Sequence, residues 1–182
     1  AERDPEMVRL LRDDPAVSTF TGHVLDDPLI RLAPGEPRAH CAASPGAYDL
    51  VEISLVDSVG LSDPGGYPVN ENYTYTVEAL DAYLGSLAPN GLLSITVWNR
   101  LDPPRNVLRL LATVVEALRA GGVADPQERL FVFDLYLSTA TILVKNGTFT
   151  EGEVYDLRKF SDERSFDTIW YPGIPKRGVD FD

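Results

Sequence analysis

The sequence predicts an α/β domain in which a mostly parallel sheet is flanked by helices and finished by a carboxyl-terminal antiparallel hairpin. Three observations carry this. Helical and extended patterns alternate at short intervals along the chain. Two apolar runs near the carboxyl terminus, RLFVFDLY and STATILVK, lie close enough to pair with each other. The length of 182 residues, 44% of them hydrophobic, suits one domain with a sizeable core.

The elements follow in order. In DPEMVRLLRD, Asp4 can cap a helix, Pro5 fits its first turn and Glu6 suits the positive end of its dipole. A short strand is expected around IRLA, and Pro37 in GEPRAHCAA can start another short helix. Tyr48 to Leu55 reads as a strand, with Glu52 an acid in its middle. In ENYTYTVEALDAYLGSL, Val77, Leu80, Leu84 and Leu87 recur at helical spacing. Pro89-Asn90-Gly91 is read as the stop of that helix, and LLSITVW as the next strand.

Pro103 and Pro104 open the most regular helix, PRNVLRLLATVVEALRAGG, which Gly121 and Gly122 end. The hairpin comes next, then a last helix in FTEGEVYDLRKFSDE. Residues 1–170 are assigned to one domain and 171–182 to a Pro/Gly-rich tail.

Composition narrows the function classes. A formal net charge of -12 repels phosphate backbones and attracts cations, polyamines among them, so nucleic acid is not expected as a partner. One cysteine, Cys41, leaves no thiolate cluster for zinc, and two histidines, His23 and His40, make a histidine-rich metal site unexpected. No apolar run approaches the roughly 20 residues that cross a bilayer, and AERDPEMVRLL does not read as a secretory signal. On that basis the sequons at Asn72 and Asn146 are read as chance matches.

The stretch YDLVEISLVDSVGLSDPGG delivers Asp57 and Asp63 beyond the carboxyl end of a strand, with no lysine or arginine inside it. Ligands of open α/β sheets bind at that end of the strands. Four blocks, AERDPEMVRLL, RLAPGEPRAHC, YDLVEISLVDS and LAPNGLLSITV, taken in this order and spacing, resemble the aminopropyltransferases of the spermidine synthase type. These are a branch of the Rossmann-like fold shared with class I S-adenosylmethionine-dependent methyltransferases.

The resemblance implies aminopropyl transfer from decarboxylated S-adenosylmethionine to a di- or polyamine. Carried onto matching positions, it implies that Glu2 holds the ribose hydroxyls, that Glu36 reads the adenine amino group, and that Asp57 helps deprotonate the attacking amine. A carboxylate beside an ammonium both binds it and can accept its proton. An alternative alignment gives the role of Asp57 to Asp63, within Asp63-Pro64-Gly65. Tyr73 and Tyr75 fall near the family's substrate-side aromatic, where a ring face can hold a cation.

Departures are visible as well: Ser54 and Ser58 stand where the family has an acid and a proline, and Pro37-Arg38 replaces Gly-Arg. No stretch matches the family's first strand and its Gly-x-Gly-type loop. The chain is therefore read as the carboxyl-terminal part of such a domain, with YDLVEISL left as an open edge through which copies can associate. A cytoplasmic location is expected, in the full-length protein either alone or below an upstream membrane segment. Two other readings stay open: a methyltransferase using S-adenosylmethionine, and a catalytically silent binding or assembly module.

Overall fold

The computed structural model describes residues 4–33, 35–56, 73–99 and 103–175. It begins with two short helices, α1 (Pro5–Asp13) and α2 (Pro15–Phe20), each started by an aspartate and a proline. The Asp4 carboxylate accepts from the Glu6 N–H at 2.9 Å, and Asp14 accepts from Ala16 and Val17 at 2.8 and 3.1 Å. Proline has no N–H to leave unsatisfied in that first turn. Neither helix buries a residue. The strand expected at IRLA does not form: residues 30–33 carry no regular structure. An alternating pattern yields a strand only where a ladder partner takes up its backbone groups, and no described strand pairs with these residues.

Helix α3 (Pro37–Ala42) leads into strand β1 (Tyr48–Ser54), and helix α4 (Val77–Gly85) into strand β2 (Leu87–Trp98). Helix α5 (Arg105–Ala120) is followed by the hairpin of β3 (Leu130–Leu135) and β4 (Thr139–Lys145), then by α6 (Glu151–Glu163) and a short strand β5 (Asp167–Trp170). The five strands form one sheet in the order β1-β2-β4-β3-β5. Pairing is parallel between β1 and β2 and antiparallel in the three other ladders. The sheet is thus mixed rather than mostly parallel, because β4 returns between β2 and β3. Strand β5 is additional to the sequence reading; four residues are too few to show a period.

The two faces of the sheet are covered differently. Leu93, Ile95 and Val97 of β2, Ala140, Ile142 and Val144 of β4, and Leu130 and Val132 of β3 join one core cluster. Against them lie Ala79, Leu80 and Tyr83 of α4 and Val107, Leu110, Val114, Ala117 and Leu118 of α5. Each large apolar side chain buried there contributes roughly 1.5–3 kcal/mol. On the opposite face Phe131 and Phe133 meet Phe149, Phe160, Phe166 and Tyr171 at ring centroid separations of 5.2–6.5 Å. Cys41 is buried as a small apolar residue within the first cluster.

The Pro89-Asn90-Gly91 turn lies inside β2, whose pairing with β1 starts at Leu87 and shifts register between Tyr48 and Leu50. Helix α4 ends earlier, at Gly85. Asn90 sits at φ 65°, and the Asn90-Gly91 pair is tied to the turn after β4: Asn90 N–H donates to Asn146 O at 2.9 Å, and Asn146 N–H donates to Gly91 O at 2.8 Å. The Asn146 side-chain amide donates to the carbonyls of Leu87 and Ala88 at 3.2 and 3.1 Å, so the second sequon's asparagine holds the start of β2.

Candidate functional site

Helices α3 and α4 run opposite to the strands they lead into. Their carboxyl ends are tied together at the start of the sheet, where Gly46 N–H donates to Gly85 O and Tyr48 N–H to Ser86 O, both at 3.0 Å. The helix starts therefore lie toward the carboxyl ends of β1 and β2. This places three of the sequence candidates toward the carboxyl ends of the strands, the side on which open α/β sheets in general bind ligands. Glu36 is the N-cap residue of α3 and is exposed, with its side chain making no capping bond. Tyr73 and Tyr75 form a single 3-10 turn, Tyr73–Tyr75, just before α4.

The two tyrosines differ. Tyr73 is exposed, whereas Tyr75 packs against the apolar core. Glu2, Asp57 and Asp63 lie outside the described residues. The strand that carries the 57–63 stretch ends at Ser54, and Leu55 continues the approach to β2 with its N–H on Thr96 O at 2.9 Å.

Glu36 is close enough to act on buried Tyr83. Burial first, then the neighbouring Cys41 and Glu36, push the Tyr83 hydroxyl up to about 12, with Arg38 opposing them. Tyr83 is therefore neutral throughout the physiological range. Between α3 and α4 runs an open groove of about 400 Å³, lined by Arg38, Cys41, Ala42, Pro45, Glu78, Asp81, Ala82 and Gly85. Glu78 is held below the usual carboxylate range by the backbone N–H at the start of α4 and by the Thr76 hydroxyl. The groove lines up acids and one arginine along two helices, but none of the three described sequence candidates, Glu36, Tyr73 and Tyr75, is among its lining residues.

A second polar cluster stands at the carboxyl ends of β2 and β3. Asn99, only 7% exposed, donates its side-chain N–H to Asp134 at 2.8 Å, and its backbone N–H to Ser138 O at 2.8 Å. Asp134 lies directly across from Asp167 on β5. Burial, then the Asp167 charge, raise the Asp134 carboxyl above its usual range, with the Asn99 bond opposing. The sequence reading passed over all three. The one local signal was Asn99 itself, an amide just past the carboxyl end of an apolar strand.

At the other end of the sheet, buried Lys145 donates to both carboxylate oxygens of Glu153, at 2.6 and 2.7 Å. Glu153 also accepts from the Thr150 N–H at 2.7 Å and completes the capping box of α6. Among the described residues no group of three or more histidine, cysteine, aspartate or glutamate side chains converges as a metal site.

Comparison with known proteins agrees with this architecture. No family model matches the chain. Over 123 residues it is 33% identical to "Polyamine aminopropyltransferase 2" of Streptomyces coelicolor, which covers 67% of this chain and 20% of that protein. The crystal structure of a probable spermidine synthase from Corynebacterium glutamicum superposes with a TM-score of 0.54 at 12% identity, covering 81% of this chain and 50% of the other. Spermidine synthase from Thermotoga maritima gives 0.52 at 17% identity, covering 87% and 49%. The chain thus spans a fifth of the curated relative and about half of each solved structure. Over that span it has a spermidine synthase-like, Rossmann-type α/β fold.

Proposed function

We propose that this chain is part of an aminopropyltransferase acting on a small cationic amine. The observation that carries this reading is the 33% identity to a polyamine aminopropyltransferase over two thirds of the chain. The placement of Glu36 and Tyr73 at the starts of α3 and α4 accords with it.

The cofactor would be decarboxylated S-adenosylmethionine, which supplies an electrophilic carbon on a sulfonium. Among the described residues, Glu36 fits the nucleoside end: an exposed carboxylate, not used to cap its helix, at the edge where such ligands lie. A carboxylate there can accept from an adenine amino group. Glu2 would take the ribose hydroxyls. Asp57, or Asp63 in the shifted alignment, would hold the substrate ammonium and take its proton as the amine becomes nucleophilic. Tyr73 offers a ring face to the cation, with Tyr75 behind it.

The long burial of β2 and β4 gives this edge a rigid base, while β1 pairs on one side only among the described residues. Its other side is where a second copy would add in an oligomer. No described helix is long and apolar enough to cross a membrane. A cytoplasmic location fits a metabolic transferase of this kind.

Calorimetric titration of the 182-residue chain with methylthioadenosine, and separately with spermidine, tests the reading. Micromolar nucleoside binding is expected, weakened about tenfold or more by Glu36→Ala. Asp57→Ala should weaken spermidine and leave the nucleoside unchanged. Absence of nucleoside binding both here and in the full-length protein would overturn the transferase in favour of a silent module. Methyl transfer from S-adenosylmethionine by the full-length protein would replace it with a methyltransferase.

A further inference from the structure

We propose that Asn90 is a site of spontaneous backbone modification, conversion to isoaspartate through a cyclic imide, and that this conversion loosens β1 from β2. Asn-Gly occurs twice in the chain, at Asn90-Gly91 and at Asn146-Gly147. A glycine after asparagine leaves the next backbone nitrogen unshielded by a side chain and lets the peptide between the two residues turn. The fold brings both pairs together at the start of β2 and treats them differently.

Asn146 is held by its side chain. Its Nδ2 donates to Leu87 O and Ala88 O at 3.2 and 3.1 Å, so its Cγ reaches the Gly147 nitrogen only after both bonds break. The Asn90 side chain is exposed, and among the described residues no hydrogen bond holds it. It rests against Gly147, where an added Cβ would stand 2.8 Å from Asn90 Oδ1. The Asn90 backbone is strained, at φ 65° in the left-handed region. It is pinned on either side, at Asn90 N–H and Gly91 O, both to Asn146. Between those pins the Asn90–Gly91 peptide can turn as a unit and bring the Gly91 nitrogen toward Asn90 Cγ, because glycine accepts φ of either sign.

The chemistry balances with water alone. The Gly91 backbone nitrogen bonds to Asn90 Cγ, the Cγ–Nδ2 bond breaks, and the proton lost by Gly91 passes through solvent to Nδ2, which leaves as ammonia. Water then adds across one C–N bond of the imide ring. Opening at Cγ gives aspartate. Opening at the Asn90 carbonyl carbon gives isoaspartate, whose main chain runs through Cβ and Cγ and is one carbon longer. That extra length falls where there is least room: a Cβ on Gly91 would already stand 2.9 Å from Tyr48 O and 3.2 Å from Asp49 O, beside the register shift of β1. Either product also adds a negative charge to a chain whose formal net charge is -12. The site requires nothing of the transferase reading and goes beyond it.

The test ages the full 182-residue chain at mildly alkaline pH, then maps its peptides by mass spectrometry and counts isoaspartate by enzymatic methyl labelling. The peptide holding Asn90 should gain one dalton, and isoaspartate with it, at least fivefold faster than the peptide holding Asn146. In urea the two rates should come within about twofold of each other, since the fold alone tells the pairs apart. Hydrogen exchange in residues 48–54 should be faster in the modified fraction than in fresh protein, with β3 and β4 unchanged. Modification of Asn146 at an equal or higher rate in the folded chain, an intact Asn90 while the urea sample reacts, or the same fivefold ratio in urea would overturn the assignment. Unchanged exchange in residues 48–54 of the modified chain would overturn the loosening of β1.

Discussion

Lys145 keeps only 5% of its side chain exposed while its partner Glu153 keeps 44%, so the two ends of this ion pair are not equivalent. Removing the glutamate strands a buried ammonium. Removing the lysine leaves a carboxylate that water and the Thr150 N–H can still solvate. Glu153→Gln should therefore cost about 2–4 kcal/mol, at or below the range for fully buried pairs because Glu153 is partly solvated. Lys145→Met should cost about half as much or less. Urea denaturation midpoints measure both, and equal losses would show that the pair is screened as a surface bridge is. This residue was legible only as the polar end of an apolar strand. Its partner lies eight residues on and across a turn, and neither periodicity nor composition reports such a meeting.

Gly91 of β2 stands close against the backbone of β1. A Cβ at Gly91 would stand 2.9 Å from Tyr48 O, 3.0 Å from Ala88 O and 3.2 Å from Asp49 O, all of them backbone atoms with little room to yield. Gly91→Ala should push β1 away where its register already shifts, at a cost of about 2–3 kcal/mol by the usual scale of overpacking. Hydrogen exchange should show the loss of protection concentrated in residues 48–54 rather than across β3 and β4. In the wild type the same measurement should rank the elements by burial: α1 and α2, which bury nothing, exchanging far faster than α5, which buries five side chains. Elements with strong local signals were readable in the sequence. The proline start and glycine stop of α5, the Asp-Pro start of α1 and the paired runs of the hairpin each state their own boundaries. IRLA and β5 failed in opposite ways for one reason: a strand exists by virtue of its neighbour. IRLA has the pattern without a partner, while DTIW has a partner, β3, without the pattern.

For the whole molecule, the same non-locality separates the legible part of the site from the rest. Glu36 and Tyr73 are singled out by likeness to a family's motifs, and the structure sets them ahead of α3 and α4, toward the carboxyl ends of β1 and β2. The Asn99–Asp134–Asp167 cluster joins residues from three strands, and only the sheet order makes it visible. That cluster and the Lys145–Glu153 pair act in opposite directions on stability against pH. The Glu153 carboxyl is held down to about 2, first by the Lys145 bond and then by the Thr150 N–H, against an ordinary 4.5. Its stabilising contribution is thus complete above pH 4.5 and is lost as pH falls toward 2. The Asp134 carboxyl is raised above 3.8, so the folded chain binds its proton more tightly than the unfolded one. Its contribution has the opposite sign: stability falls as pH rises from 3.8 through the folded value, and the cost persists above it. Thermal unfolding between pH 2 and 7 should consequently show a steeper acid decline in Asp134→Asn than in wild type, and a shallower one in Glu153→Gln. Asp134→Asn should also raise the melting temperature at pH 7, because the repulsion across β3 and β5 is removed while the Asn99 contact can be kept. A lower melting temperature at pH 7 with the fold intact would mean that Asp134 is stabilised by a charge other than the groups facing it across the strands.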